Sequence, residues 1–215
     1  MTIRRSGGRV GAVAVVDLTD VLDEVRRRPV DGPTRIVGVD GPSGSGKSTL
    51  ARRLVALSGA PRVRIDDFVS WDDPLTDFAA WWPRFEAQVL DPLLAAHDAV
   101  YQVRNWDGDE FGTSLAGWKT TPWAPLIIVE GVTSTRRATV GRLAYTIWVE
   151  APRRVRLRRG LDRDGDSARY RDLWRRWMAA EDRFFPIDGA RDRADLRVDA
   201  APTEPHDPRT QLVTR

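Results

Sequence analysis

Short apolar runs, separated by segments with helical periodicity, recur along most of this 215-residue chain. Each run has the length and the branched or aromatic composition of a buried strand. Five of them predict the strands of one sheet: 36–39 (IVGV), 61–69 (PRVRIDDFV), 126–129 (LIIV), 145–150 (YTIWVE) and 194–198 (ADLRV). Because helical segments separate these strands, the pattern predicts an α/β fold with a doubly wound, five-stranded parallel sheet flanked by helices.

The helical segments lie before, between and after the predicted strands. Residues 17–28 place apolar positions at helical spacing, with acids early and arginines late, which suits the helix dipole. Leucines at 50, 54 and 57 form the apolar stripe of a helix that packs on the sheet. The stretch 153–178 is a charged helical region, whereas 71–123 is rich in tryptophan and turn residues. We interpret 71–123 as an excursion from the sheet, where a substrate lid would lie.

Residues 41–48 (GPSGSGKS) have the spacing G-x-x-x-x-G-K-[ST] of a P-loop, the Walker A motif, between the first strand and the leucine-striped helix. Glycines let backbone N–H groups curl around a phosphate, and the helix N-terminus adds partial positive charge. Lys47 would reach the β- and γ-phosphates, and Ser48 would supply a hydroxyl to Mg²⁺. The alternative is a glycine-rich turn that binds nothing. The motif predicts ATP and Mg²⁺ as cofactors and these nucleotide-binding residues: Gly41, Ser43, Gly44, Ser45, Gly46, Lys47, Ser48 and Thr49.

Composition narrows the chemistry further. Lys47 and Lys119 are the only lysines among 34 basic residues, which indicates that lysine is kept where a compact point charge is required. The chain contains no cysteine, so thiolate catalysis, thiolate metal sites and disulfides are excluded. Of its two histidines, one lies at a predicted helix end and the other in a proline-rich segment. A carboxylate is therefore the expected general base.

Charge and hydropathy indicate a protein of the cytoplasm. The net charge is +3, with 30% charged and 41% hydrophobic residues, as in soluble globular proteins. Because acids and bases are interspersed, no nucleic-acid partner is expected, although one arginine-rich segment keeps that alternative open. The apolar run 10–16 is too short to span a membrane, and no membrane partner is expected. A homo-oligomer is left open.

Carboxylates follow two of the predicted strands, and in an open parallel sheet ligands bind at that edge. Asp66 and Asp67 end the second strand, and Glu130 follows the LIIV strand. A carboxylate after LIIV can hold Mg²⁺, and one after the second strand can accept a proton from a hydroxyl that attacks the γ-phosphate. The alternatives are a helix cap or turn residue for Asp66 and a turn residue for Glu130.

The segment 153–171 contains eight arginines. Helical spacing places Arg156, Arg159 and Arg163 on one face, where their guanidinium groups could clamp a polyphosphate and offset charge in the transition state. The alternative is a solvated helix face with i,i+4 ion pairs to Asp162 and Asp166.

These motifs together resemble the uridine kinase family of P-loop small-molecule kinases, related to phosphoribulokinase and pantothenate kinase, from about Arg35 to Val198. RIDDF resembles the segment with the family's catalytic aspartate, which implies that Asp66 is the general base and a metal-side carboxylate. WDDP resembles the family's loop that holds sugar hydroxyls, which implies a substrate-binding role for Asp72. IIVEGV resembles the family's E-G strand end, which implies that Glu130 is an acid of the Mg²⁺ site. RLRRGLDRD resembles the arginine lid and implies phosphate-side roles for Arg159 and Arg163 and a substrate-side role for Arg156.

The chain departs from the family in two places. Gly160 stands where the family has the second arginine of a pair, and no R-G-R follows Asp164. RNWDGDEF, at 104–111, stands where nucleoside kinases carry a tyrosine-aspartate pair and a base-reading histidine, so Arg104 and Trp106 are the substrate-binding residues expected there. The resemblance implies a kinase more firmly than a nucleoside acceptor.

The sequence therefore predicts an N-terminal tail (1–16), a P-loop kinase domain (17–200, lid about 153–176) and a disordered C-terminal tail (201–215). The expected activity is transfer of the γ-phosphate of ATP to a hydroxyl of a small molecule. Two alternatives remain: an ATP-binding regulatory or interaction protein without kinase turnover, and a nucleic-acid-binding protein that uses the arginine segment. No motif distinguishes ATP from GTP as donor.

Overall fold

A seven-stranded sheet forms the centre of the protein in the computed structural model, which describes residues 13–76 and 78–215. The strand order is β1-β9-β8-β7-β2-β6-β3, and β4 and β5 pair separately as a hairpin. The strands are β1 (Ala14–Asp17), β2 (Arg35–Asp40), β3 (Arg62–Arg64), β4 (Ala99–Arg104), β5 (Leu115–Thr121), β6 (Leu126–Glu130), β7 (Tyr145–Glu150), β8 (Leu196–Asp199) and β9 (Gln211–Thr214).

The five strands β8-β7-β2-β6-β3 are all parallel, which confirms the predicted sheet. β2 lies at their centre, where Gly38 pairs with Val129 of β6 and with Thr146 of β7. The P-loop therefore leaves the middle of the sheet at the carboxyl edge. β3 is shorter than predicted, because the chain turns into a 3₁₀ helix at Ile65–Asp67.

Two antiparallel strands extend the sheet at one edge. β9 pairs with both β8 and β1, and its Leu212 and Val213 are buried. The end of the predicted disordered tail is thus a strand, because two apolar side chains there complete the core. β1 likewise includes residues that we predicted as tail, whereas residues 1–12 of that tail lie outside the described residues.

Helices cover both faces of the sheet: α1 (Leu18–Arg27), α2 (Lys47–Ser58), α3 (Trp82–Phe85), α4 (Asp91–Leu94), α5 (Arg153–Asp164), α6 (Ala168–Asp188) and α7 (Ala190–Arg193). A π-helical turn, Glu86–Leu90, joins α3 to α4, and two further 3₁₀ turns are Asp73–Thr76 and Arg137–Thr139. The predicted helical region 153–178 is two helices. α5 ends at Gly165, which has a φ of +108°, and the Ser167 side chain then caps α6 by accepting a hydrogen bond from Tyr170 N.

Alternate side chains of the parallel strands enter two hydrophobic cores. Ile36 of β2 packs in a core that also contains Trp81, Phe85 and Trp177, whereas Val37 packs with Leu54 of α2 in the other core. The β4–β5 hairpin lies within the excursion 71–123. β5 was not predicted, because six of its seven residues are not fully buried and its sequence, LAGWKTT, shows no apolar alternation.

Candidate functional site

Glycines give the P-loop its shape. Gly41 and Gly44 have φ angles of +139° and +75°, which residues with a side chain rarely adopt. A Cβ at Gly41 would lie 2.0 Å from the Val149 carbonyl oxygen, and one at Gly44 would lie 2.4 Å from the Arg156 carbonyl oxygen. Gly46, with a φ of +111°, is the N-cap of α2. The loop is therefore pressed between β7, α5 and the start of α2.

Two side chains at the start of α2 lie at the loop. Lys47 is buried and its Nζ donates a hydrogen bond to the Pro42 carbonyl across the loop (3.0 Å). Ser48 Oγ donates to Glu130 Oε2 on the neighbouring strand β6 (3.1 Å). Thr49, also predicted to bind nucleotide, accepts a hydrogen bond at Oγ1 from Arg52 of its own helix (3.3 Å).

Glu130 is a buried carboxylate at the end of β6, only 1% exposed. Burial, and then the nearby charge of Asp66, raise its pKa, whereas Lys47 and Arg62 act in the opposite direction. Its Oε1 accepts no hydrogen bond within the described part of the chain, and Arg62 Nη1 lies 3.7 Å away. Arg64 Nε lies 4.0 Å from the same oxygen, so two guanidinium groups are within ion-pair distance of Glu130 Oε1.

The two adjacent aspartates after β3 have different surroundings. Arg64 Nη2 donates to Asp66 Oδ2 (2.8 Å), and the Asp66 side chain is 41% exposed. Asp67 turns towards the hairpin, where Lys119 Nζ lies 3.0 Å from its Oδ2, and it is 13% exposed. Because β3 pairs with β6 so that Arg64 lies opposite Glu130, Asp66 is at the same edge of the sheet as the predicted metal ligand.

A further carboxylate at this edge, Asp40, is not among the residues that the sequence predicts for the site. It ends β2 directly before the P-loop and is fully buried. Its Oδ1 accepts hydrogen bonds from Gly41 N (2.6 Å) and Thr133 N (2.8 Å), and its Oδ2 accepts from both N and Oγ1 of Thr135 (2.8 Å each). Burial raises the pKa of Asp40 to about 6 despite these donors. An aspartate between an apolar strand and the first P-loop glycine was the available signal.

The three arginines predicted on one face of α5 have separate partners. Arg156 is buried and donates from Nη1 to Glu181 Oε2 (3.2 Å), so it contacts the underside of the P-loop rather than open solvent, where a substrate would bind. Arg159 Nη1 donates to the Ser45 carbonyl (3.3 Å). Arg163 is paired with Asp164 through Nε (2.6 Å) and Nη2 (3.0 Å). Two of the three therefore hold the P-loop.

Gly160, where the chain departs from the family pattern, is explained by packing. A Cβ at this position would lie 2.2 Å from Cζ2 of the Trp174 indole on α6. Trp174 is 1% exposed, and its Nε1 donates to Asp164 Oδ2 (3.0 Å). The tryptophan occupies the space that a side chain at residue 160 would need, so α5 and α6 pack closely here.

The predicted substrate-side residues surround the segment after β3. Trp106 Nε1 donates to the Asp66 carbonyl (2.8 Å), and the tryptophan is 38% exposed. Arg104 Nε donates to the Phe68 carbonyl (2.7 Å). Asp72 is exposed, and its backbone N–H donates to Ser70 Oγ (3.3 Å). The structure thus brings Trp106 into contact with Asp66 and Arg104 into contact with Phe68, two residues further along the same segment.

The site fits a nucleotide and Mg²⁺. The glycine cradle leaves no room for side chains, and the buried Ser45 Oγ accepts and donates no hydrogen bond within residues 13–76 and 78–215. The described residues contain no cluster of three or more acidic, histidine or cysteine ligands. Ser48 and Glu130, with Asp66 nearby, could instead supply the few protein oxygens that Mg²⁺ needs where phosphates and waters complete its shell.

No helix among the described residues has the length and apolar character needed to cross a membrane. No protein-family model matches the chain.

A curated protein that is similar to this chain has a named activity other than that of a kinase. The chain is 31% identical over 167 residues to a tRNA dimethylallyltransferase of Rhodopseudomonas palustris (strain HaA2), a match that covers 78% of this chain and 54% of that protein. The chain thus spans about half the length of this relative.

Comparison with solved structures shows the fold. A possible uridine kinase from Bacillus stearothermophilus superposes with a TM-score of 0.59 at 18% identity, covering 83% of this chain and 98% of that one. D-glycerate 3-kinase from Cryptococcus neoformans superposes with a TM-score of 0.58 at 12% identity, covering 83% and 92%. The chain therefore has the fold of the P-loop kinases of the uridine kinase type, which confirms at the level of the fold the resemblance predicted from its motifs.

Proposed function

We propose that this protein is an ATP-dependent kinase that transfers the γ-phosphate to a hydroxyl of a small molecule. One observation carries the proposal: the glycine-shaped P-loop, the hydrogen-bonded pair of half-buried Ser48 and buried Glu130, and the carboxylate of Asp66 meet at the carboxyl edge of one parallel sheet. These are the parts that phosphoryl transfer needs, since its catalysis depends on positioning and on charge stabilisation.

On the donor side, the amides of the P-loop and Lys47 would bind the phosphates of ATP. Lys47 Nζ now donates to the Pro42 carbonyl and would turn towards the β- and γ-phosphates. Ser48 and Glu130 would hold Mg²⁺, which would offset the negative charge of the phosphates. Arg159, anchored on the Ser45 carbonyl, and Arg163 would add positive charge near the transferring group.

On the acceptor side, Asp66 would accept the proton of the acceptor hydroxyl as its oxygen bonds to the γ-phosphorus. The bond between that phosphorus and the β–γ bridging oxygen breaks, and ADP leaves. Both aspartates have an ion-pair partner, Arg64 for Asp66 and Lys119 for Asp67. Asp66 is better suited to this role because it lies beside the predicted metal ligand and is 41% exposed, whereas Asp67 is 13% exposed. Trp106 and Arg104 would cover the acceptor from the hairpin.

The acceptor class stays open between nucleosides and other polyols. The names of the structural relatives include a uridine kinase and a glycerate kinase, so the fold alone does not choose. We therefore propose a panel of nucleosides, sugars, hydroxy acids such as D-glycerate and vitamins, assayed for compound-dependent ADP formation with Mg²⁺.

The adjacent aspartates supply a matched pair of variants for this assay. We expect Asp66→Asn to lower turnover by at least about a hundredfold, the usual contribution of a general base, while ATP still binds. Asp67→Asn should keep most of the activity. Loss in Asp67→Asn with activity in Asp66→Asn would transfer the role of base to Asp67, and full activity in both would remove a carboxylate base from the mechanism.

A second candidate rests on the curated relative. Transfer of a dimethylallyl group to tRNA, the reaction named for that protein, would use the same loop to hold a diphosphate leaving group. Incubation with tRNA and dimethylallyl diphosphate, followed by analysis of the tRNA nucleosides, separates the two candidates. ATP binding without turnover of any compound in either assay would favour the regulatory alternative.

A further inference from the structure

A buried carboxylate of helix α6, Glu181, contacts the P-loop from the side of the protein interior. Glu181 is 1% exposed, and its Oε1 accepts hydrogen bonds from Ser43 N (2.7 Å) and from Trp177 Nε1 (2.8 Å). Its Oε2 accepts from Arg156 Nη1 of α5 (3.2 Å), and Arg156 is 6% exposed. A buried carboxylate and a buried guanidinium are thus paired directly beneath the loop that is expected to bind phosphate.

Glu181, Arg156 and Trp177 together form a hydrogen bond with each polar group of Ser43. Glu181 accepts from its N–H, Arg156 Nη1 donates to its carbonyl oxygen (3.4 Å), and Trp177 Nε1 donates to its Oγ (2.7 Å). Hydrogen bonds to charged partners are the stronger ones, and burial strengthens them further. The next residue, Gly44, lies against the Arg156 carbonyl. The loop backbone is therefore fixed from below by two helices.

We infer that Glu181 is a positioning residue, which sets the shape of the P-loop through Ser43 so that the later amides point at the phosphates. This inference rests on the proposed use of the loop for ATP. The N–H of Ser43, which the motif predicts to bind phosphate, then holds the loop in shape instead, because it already donates its hydrogen bond to the Glu181 carboxylate. Arg156 neutralises the acid, so that its negative charge does not repel ATP.

Two variants test the inference, with a third as a matched control. Glu181→Gln keeps the shape but removes the charge and leaves Arg156 buried without its acid. Trp177→Phe keeps the aromatic packing and removes the donor to Ser43 Oγ. Asp182→Asn changes the neighbouring residue of the same helix, whose carboxylate pairs with Arg153 at the surface.

The first measurement is the Kd for Mg·ATP by calorimetry, without an acceptor. We expect Glu181→Gln to weaken binding about tenfold, Trp177→Phe to weaken it about threefold, and Asp182→Asn to leave it unchanged. At saturating ATP, kcat should fall much less than the KM for ATP rises, because Asp66 and Glu130 are untouched. Folded Glu181→Gln or Trp177→Phe protein that binds ATP as the wild type does would overturn the inference.

The second measurement needs no ligand. Amide hydrogen exchange should be faster in residues 41–48 of Glu181→Gln and unchanged in the strands of the sheet. If the wild type binds no ATP, the proposed function fails, while this exchange experiment still decides whether Glu181 shapes the loop. Unchanged exchange in the loop would contradict the positioning role whatever the protein binds, and if Glu181→Gln does not fold, Trp177→Phe decides by the same two measurements.

Discussion

The buried carboxylate of Asp40 should make the stability of this protein fall as the pH rises from acid to neutral. Its pKa is about 6 in the folded protein, against 3.8 for an ordinary aspartate. Between these two pH values the folded protein binds more protons than the unfolded chain, so the free energy of unfolding decreases with rising pH. The charged form costs stability because it is fully buried, even with four hydrogen bonds to Gly41, Thr133 and Thr135.

The size of the effect follows from the shift. The difference between about 6 and 3.8 is worth about 3 kcal/mol once Asp40 is fully ionised, near pH 7.5. At about pH 5 the folded protein holds the proton, and roughly half of that cost remains. Acidification over this range should therefore recover about 1–2 kcal/mol at this one group.

Urea unfolding of the wild type and of Asp40→Asn at the two pH values measures this contribution. The variant cannot ionise at residue 40, so the stability difference between the two proteins should change by about 1–2 kcal/mol between the two pH values. Asp40→Asn should also be less stable at both, because its amide N–H₂ would face backbone donors. Asp162→Asn, which removes an exposed carboxylate on α5, is the control. A stability difference that is the same at both pH values would refute the reasoning.

Three further predictions rest on contacts of the site and of helices α5 and α6. Gly160→Ala should lower the free energy of unfolding by about 1–3 kcal/mol in urea titrations, because its Cβ would overlap the Trp174 indole. Gly117→Ala is the control and should change stability little, because a Cβ there would have open space; equal effects of the two substitutions would contradict the packing argument. Because the pKa of Glu130 is raised, the affinity for Mg²⁺ should fall on acidification at a pH above 4.5, the ordinary value for glutamate, as titrations of Mg²⁺-dependent activity would show. Ser48→Ala should raise the Mg²⁺ concentration needed for half-maximal activity about tenfold, and an unchanged requirement would remove Ser48 from the metal site.

The central part of the fold could be predicted because its signals are local. β2, the P-loop and α2 are contiguous, and strand composition, glycine spacing and a leucine stripe each indicate the same structure. The edge strand β9 could not be predicted from the sequence. Its four residues follow a proline-rich stretch and have little pattern of their own, and they become a strand only by pairing with β1 and β8.

The site shows the same division. The carboxyl-edge residues Ser48, Asp66 and Glu130 follow from parallel-sheet topology, which the apolar runs predict. The partners of Arg156 cannot be predicted from that topology, because Glu181 lies 25 residues from Arg156 and 138 residues from Ser43 in the sequence. Helical spacing gave Arg156 a face on α5, but only tertiary packing shows that this face contacts the P-loop.

The proposal that this protein is a kinase is tested most directly by following the labelled γ-phosphate of ATP in the presence of Mg²⁺ and the acceptor panel. We predict that the wild type moves the label from ATP to one class of organic hydroxyl compound, and that Lys47→Ala transfers none. Label that stays in ATP with every compound, although the wild type binds ATP and the Lys47→Ala protein does not, would contradict the kinase and leave a nucleotide-binding protein.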